Sequence, residues 1–512
     1  MKNAAGTIRR SSGLARRLSV SAVKLVFRFA VPLTCATVWN MPSLRKLHVL
    51  ICLFTLGSAL AETPDRAHIT LQPSEHHQFI QGFGVNYTGP YFRDDQKPMF
   101  DLLIKDLGAT MFRVVPYLVY SNWEETNDND DPNVMNWEYY NDRYSTPIFE
   151  ATWNGLRFLN SRGIRPVIAL MGPVPDWMLD DHWSPPKHKV CQADSKQRAL
   201  KPAMYDEFAE MVVSMAMYAR MKAHVDFDYL SPFNETDCYP PEGPRIDPEE
   251  APKVLAAVAR RLKKEGLGDI QLTPADQAVI TNDYISPILA NPELMKQVGA
   301  FTLHTYGENS VGPNVERVKS SAYPNVPVWL TEYGDLNDQD KTAGNDWKNF
   351  SLASNRRALT ALNQGASALF FFDAFDDYEE CARRLTFYGL FRSADHIYAP
   401  RKRYYATRQL YHFVHPGAQR IGATSDTPSL TVSAFFDGAE GSMVLVGVKE
   451  GGPAHVELVT NGAELFDPFD LYITTPSIDC QKVGTISASD GIAKLDLPDE
   501  AVFTLVGTLK KR

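Results

Sequence analysis

The chain has 512 residues, enough for one large domain and a smaller one, and its 44% hydrophobic and 11% aromatic content is that of a globular protein with a sizeable core. Of its 52 Lys and Arg, nine fall in the first 61 positions, where none of the 61 Asp and Glu lie, so the remainder sets 43 basic against 61 acidic residues, a net −18. That acidic balance supports solubility and argues against nucleic acid or an anionic membrane as partner.

In chain order, the first 61 residues read as a leader rather than as fold. From Met41, "MPSLRKLHVLICLFTLGSALA" places a basic patch (Arg45, Lys46) before a short apolar run and closes on Ala59-Leu60-Ala61. This is the layout of a secretory signal cleaved after Ala61, and its apolar run is short for a bilayer span. A secreted or periplasmic protein with no integral membrane association is therefore expected. Removal of the leader would leave Cys191, Cys238, Cys381 and Cys480. No C-x-x-C spacing points to zinc, export permits disulfides, and three pairings are open.

Eight short apolar runs follow, alternating with helical patterns: 79–86, 110–117, 165–172, 227–235, 269–276, 300–306, 327–334 and 367–375. Runs without polar alternation imply burial on both faces, as in a parallel sheet wrapped by helices, and eight such units predict a TIM barrel over 79–409. Several intervening helical patterns, such as "IFEATWNGLRFLNSRG", end on the glycine a helix terminus needs. An insertion rich in Trp and Tyr, "SNWEETNDNDDPNVMNWEYYNDRYS", follows the second run. Beyond about residue 410 the pattern becomes short alternating strands, predicting a β-sandwich side domain that "HITLQPSEHHQ" (68–78) joins. The predicted organisation is a leader at 1–61, a catalytic barrel at 79–409, and a β-sandwich from 62–78 plus 410–512.

Chemistry in such a barrel sits at the C-terminal ends of the strands. The second run carries Arg113 there, the fourth Asn234 and Glu235, the sixth His304 and Tyr306, the seventh Glu332. A retaining glycosidase needs two carboxyl groups about 5–5.5 Å apart, one nucleophile and one acid then base. An Arg near Glu332 would keep it ionised, and a less polar setting would hold Glu235 protonated. Each residue has a plainer reading when taken singly. Arg113 reads as a buried ion-pair partner, His304 and Tyr306 as core, and Glu332 as polar punctuation. Their joint placement at four strand ends is what favours a site. Trp177, Trp123, Trp137 and Tyr117 offer flat rings of the kind that stack on sugars, with core packing the simpler account of each. Asn86, Asn234 and Asn349 all begin glycan-acceptor triplets; a pocket role for Asn234 weakens that reading there, and Asn349 keeps it as an exposed-loop acceptor.

"FNE", "HTY" and "WLTEYG", with "HHQFIQGFGVNYT" and "ALMGPVPDWM", resemble glycoside hydrolase family 30, within the clan of (β/α)8 retaining enzymes, over nearly all of 68–508. The resemblance implies Glu332 as nucleophile, Glu235 as general acid/base and Asn234 on the sugar 2-hydroxyl. It also implies Tyr306 and Arg113 positioning the nucleophile, His304 lining the site, Trp177 on the third-strand loop, and neither metal nor organic cofactor. Phe233 and Thr236 stand where the family usually has Gln and Pro, and "FFFDAFDDYEECARRLTFYG" follows strand eight where relatives often offer a Trp. In that loop Arg383 and Arg384 could meet an acidic sugar branch, although a solvated basic pair is the plainer reading. The expectation is a retaining β-glycosidase acting on a carbohydrate polymer or glycoconjugate. The competing readings are a non-catalytic carbohydrate-binding protein on the same fold and a metal-dependent hydrolase, which an absent H-x-H cluster disfavours.

Overall fold

Uninterrupted apolar runs can be stable as strands only where both faces are covered, and these runs form the staves of a parallel barrel. The computed structural model describes residues 64–116, 124–191, 196–239, 242–336, 346–376, 388–394, 397–460 and 466–509. The proposed leader, Tyr117, Trp123, Cys381, Arg383 and Arg384 lie outside them. After β1 (Asp65–Phe79), the barrel strands are β2 (Gly82–Thr88), β3 (Met111–Val115), β4 (Val167–Ala169), β5 (Tyr229–Ser231), β6 (Gln271–Leu272), β7 (Ala275–Gln277), β8 (Phe301–Thr305), β9 (Val328–Tyr333) and β10 (Ala368–Phe371). They pair in the order β6-β5-β4-β3-β2-β10-β9-β8-β7. The end strands β6 and β7 are consecutive pieces of the fifth predicted run, so the sheet closes into a (β/α)8 barrel. Its interior is filled at one level by Val167, Ala300, Trp329, Ala368 and Phe370.

Helices cover the outside. Pro147–Ser161, Tyr205–Met221, Ala251–Lys264 and Ser354–Asn363 bury apolar faces against the staves. The helical stretch that ends at Leu107 stops at Gly108, whose φ of 91° is left-handed and where a Cβ would strike the carbonyl of Tyr411. The Trp/Tyr-rich insertion contributes a helix, Trp137–Tyr144, that packs Tyr140 and Tyr144 into the barrel's outer core. Among the described residues no helix is long and apolar enough to cross a membrane.

A short hairpin, β11 (Phe391–Ala394) and β12 (Ile397–Pro400), leads through the helix Lys402–Tyr411 to the second sheet. That sheet comprises β13 (Gln419–Ser425), β14 (Leu430–Asp437), β15 (Ser442–Lys449), β16 (Ala454–Thr460), β17 (Phe466–Thr474), β18 (Gln481–Ile486), β19 (Ile492–Leu497) and β20 (Ala501–Leu509), together with β1. Hydrogen bonds join all nine strands into one continuous sheet, in the order β18-β17-β20-β15-β14-β13-β1-β16-β19. Only the β1–β16 pairing is parallel within it. Ile69, Leu445, Leu471, Leu495 and Phe503 share a single core although their strands range from near one edge to the other, so the sheet curls around it. The opposite face of β14, β15 and β20 packs on the barrel through Phe435, Val446 and Val502. Asn363 fastens the seam, accepting from Ser433 Oγ at 2.6 Å and donating to the carbonyl of Val432 at 2.8 Å.

Candidate active site

Arg113 on β3 is fully buried at the centre of the barrel mouth. Burial alone would disfavour its charge, yet Asp276 and Glu332 more than compensate and raise its pKa. Nη1 donates to Glu332 Oε1 at 2.7 Å and to Asn86 Oδ1 at 3.0 Å; Nη2 donates to Asn234 Oδ1 at 2.6 Å and to Asp276 Oδ2 at 3.0 Å. One guanidinium thus ties the ends of strands one, four, five and seven. The plain sequence reading, a buried ion-pair partner, and the functional one, a nucleophile-positioning group, describe the same contact.

Glu332 reaches this cluster through a bulge. On the β8 side Leu303 pairs with Leu330, but the next residue, His304, pairs with Glu332; on the β10 side Leu369 pairs with Leu330 and Phe371 with Tyr333. Both neighbours therefore see one extra residue in β9, the device that re-aims side chains beside active sites. Thr331 and Glu332 consequently both face the cluster. Thr331 Oγ1 donates to Asp276 Oδ1 at 2.6 Å, and Glu332 Oε2 accepts from the hydroxyl of Tyr306.

Glu235 follows β5 in a left-handed conformation, φ 40°, a strained setting for a non-glycine residue that costs about 1–3 kcal/mol. Its N–H donates to the carbonyl of Asp276 at 2.9 Å and its own carbonyl accepts from Cys238 N at 2.7 Å. Gly243 passes so close behind that a Cβ there would overlap the carbonyl oxygen of Asn234. Asp237 locks the same turn, accepting from Ala278 N, Val279 N and Asn282 Nδ2 at 2.8–3.1 Å. A disulfide, Cys191–Cys238, ties the preceding loop to it, while Cys480 is a buried free thiol.

His304 Nδ1 lies 2.7 Å from Glu235 Oε1 and 3.6 Å from Glu332 Oε2, with Nε2 3.3 Å from Asp276 Oδ1. The ligand-type atoms of Glu235, His304 and Glu332 all lie within 4.8 Å of one another. Burial raises the pKa of Glu235, and the nearby charges of Glu332 and Asp237 add to the shift, while the contact with His304 draws it partly back. Burial works to deprotonate His304, but Glu332, Asp276 and Glu235 overcome it and lift its pKa to about 10. Asp276 is pushed up by burial and pulled well below the usual carboxylate range by Arg113 and His304. The Tyr306 hydroxyl is held well above its ordinary pKa by burial and by Glu332 and Glu235. The trio could in outline surround a cation. Metal ligands must be deprotonated, whereas burial shifts Glu235 toward its protonated form and the carboxylates around His304 shift that ring the same way.

The cluster floors a cleft of about 730 Å³. Its walls include Asn86, Tyr91, Met171, Leu336, Phe372 and Tyr388. The structure brings together Glu235, Glu332, Asn234, Arg113, His304 and Tyr306. Trp177 is not among the described residues of this cleft; it lines a separate depression with Asp176 and Arg198, its indole N–H donating to the carbonyl of Glu124 at 3.3 Å. Trp137 packs against Tyr140. Asn234 is 1% exposed and Asn86 equally so, which removes both as glycan acceptors; Asn349 sits half-buried in the helical segment Asp346–Ala353 rather than in an exposed loop. Sequence reasoning passed over Asn86 and Asp276. Each is the last polar residue of a predicted stave, the signal that marked the residues it did select.

Fold and site together define a (β/α)8 barrel with two carboxyl groups facing each other across a basic, hydrogen-bonded floor. No family model matches the sequence, and no curated protein does. Solved structures do match. A family 30 endoxylanase from Clostridium papyrosolvens superimposes with a TM-score of 0.65 at 18% identity, covering 86% of this chain and all of that one. A family 30 subfamily 8 xylanase from Clostridium acetobutylicum gives 0.64 at 18% identity, covering 86% and 99%. Xylanase C from Talaromyces cellulolyticus, also family 30, gives 0.62 at 17%, covering 86% and 100%. In fold the chain is of the glycoside hydrolase family 30 kind.

Proposed function

We propose that this protein is a retaining glycoside hydrolase of family 30, acting on a carbohydrate polymer or glycoconjugate by double displacement. The observation that carries the reading is the approach of Glu235 and Glu332, whose oxygens come within 4.8 Å across the cleft. Inverting enzymes hold their carboxyl groups about 6.5–9.5 Å apart to admit a water; so close a pair suits direct attack by one of them. Glu332, paired with Arg113 at 2.7 Å and oriented by Tyr306, attacks the anomeric carbon. Glu235, whose burial favours its protonated form, delivers its proton to the departing glycosidic oxygen. Water then enters, Glu235 takes its proton, and the glycosyl–Glu332 ester is cleaved. His304 moderates the proton affinity of Glu235 between the two steps. Asn234, whose Oδ1 is held by Arg113, has its Nδ2 only 3.4 Å from the carbonyl of Glu242 and is placed to turn toward a sugar hydroxyl. Trp177, in its separate depression, would meet only an extended glycan. The disulfide Cys191–Cys238 supports export to an oxidising compartment.

The test uses residues 62–512 with Glu332→Ala and Glu235→Ala alongside, incubated with β-linked glucans, galactans, xylans and glycolipids while reducing ends are counted. Release by the parent that collapses in both variants supports the mechanism. Activity surviving in Glu332→Ala overturns the assignment, and binding without turnover by the parent favours a carbohydrate-binding protein.

A further inference from the structure

Asp373 follows β10 directly and is fixed by its neighbours' backbones. Phe372 N donates to the carbonyl of Tyr333 at 2.9 Å, Ala374 N donates to that of Asn86 at 2.8 Å, and Leu390 N donates to the carbonyl of Asp373 itself at 2.9 Å. Its half-buried side chain lines the same cleft as Glu235, Glu332 and Tyr306. Several other acids nearby are matched. Glu332 and Asp276 share Arg113, Asp376 pairs with Arg401 at 3.1 Å, and Asp346 pairs with Arg403. His304 stands between Glu235 and Asp276. Apart from its own backbone N–H, the carboxyl of Asp373 has no hydrogen-bond or ion-pair partner among the described residues. Burial, then Asp376, holds its pKa well above the usual carboxylate range; Arg403 opposes that shift and Glu332 adds to it. Among these described groups each of the other acids has a cationic neighbour, and Asp373 is left as a rigidly mounted acid without one, facing the cleft.

We propose that Asp373 is a specificity-determining residue that pairs with a free amino group on the sugar bound beside Glu332, making the substrate class β-linked amino-sugar glycans. This rests on the glycosidase reading above. A cation there supplies the partner the fold withholds, and ionisation of Asp373 on binding turns its desolvation into attraction. A sugar carboxylate would instead meet Glu332, Glu235 and Asp373 together.

The experiment compares kcat/KM for glucosamine oligomers, their N-acetylated counterparts, neutral glucan and xylan oligomers, and glucuronoxylan. It uses the parent, Asp373→Asn and Asp373→Glu, with thermal melting as a check that each variant is folded. The parent is expected to favour the free amine over its N-acetylated counterpart about tenfold, the low end for one hydrogen bond between charged groups. In Asp373→Asn that ratio falls toward one, chiefly through KM, whereas Asp373→Glu retains part of it and added salt weakens it. An unchanged ratio in folded Asp373→Asn overturns the proposal while leaving the glycosidase intact. So does a parent that prefers neutral or uronate-bearing chains, the latter pointing to Arg383 and Arg384. A parent silent on every substrate overturns the glycosidase reading and this one with it.

Discussion

Replacing Arg113 by Met retains most of the buried stem and deletes the guanidinium on which the site is built. Four contacts vanish: to Asn86 at 3.0 Å, Glu332 at 2.7 Å, Asn234 at 2.6 Å and Asp276 at 3.0 Å. Two carboxylates, one fully buried and one 4% exposed, lose their cation. Removing one partner of a buried ion pair costs about 3–5 kcal/mol. His304 stays charged at 3.3 Å from Asp276 and 3.6 Å from Glu332, so the lower end, about 3 kcal/mol, is expected. The loss should depend on pH. Asp276 is depressed in the folded parent, so its stabilisation is present above the unfolded value of about 3.9 and declines as pH falls below it. In Arg113→Met the carboxyl can protonate in the folded state, and the gap between the two proteins narrows on acidification. Urea unfolding followed by circular dichroism at pH 7 and pH 4 measures both quantities. Catalysis should fall with stability, by about 10²–10³ in kcat, as for loss of one preorganised electrostatic contact. A penalty below about 1 kcal/mol, or one equal at both pH values, would refute this account of how the site is held.

His304→Asn removes the cation that restrains the proton affinity of Glu235, so the basic limb of the kcat/KM–pH profile should move to higher pH; a shift to lower pH contradicts the assignment of Glu235 as the acid. Glu124, Glu207 and Glu210 are raised by burial to about 8, 7 and 8. Their protonated forms stabilise the fold fully below about pH 4.5, and that contribution is lost as pH rises toward 8, at up to about 1.4 kcal/mol per pH unit for each group. In Glu124→Gln, which still accepts from Tyr140, calorimetric melting should depend less steeply on pH across that window; an unaltered slope counts against a proton on Glu124. Changing Cys191 and Cys238 together to Ser opens a loop of 47 residues and should cost about 4 kcal/mol in denaturant titration on the chain-entropy account; a cost near zero would refute that account of the disulfide's contribution.

The staves, their order along the chain and the residues at their ends were legible because burial on both faces writes itself locally, as uninterrupted apolar residues closed by one polar group. Alternation, the mark of a strand buried on one face, identified the strand at 68–78, which pairs with β13 and β16 from the far end of the chain. The curled single sheet was less legible: alternation reports which face of a strand is buried, not which strands hydrogen-bond to one another.

What amino-acid order by itself determined is thus the barrel, the strand-rich C-terminal region and the set of polar groups presented at one rim. Tertiary structure decided how those groups meet. The extra residue in β9 that turns Glu332 inward is visible only against β8 and β10, and the left-handed backbone of Glu235 only against Asp276 and Gly243. The pairing of Cys191 with Cys238, chosen from three open possibilities, and the separation of Trp177 from the cleft belong with them. The physical reason is common to all four. Each depends on distances between residues far apart in sequence, and periodicity carries information only about neighbours.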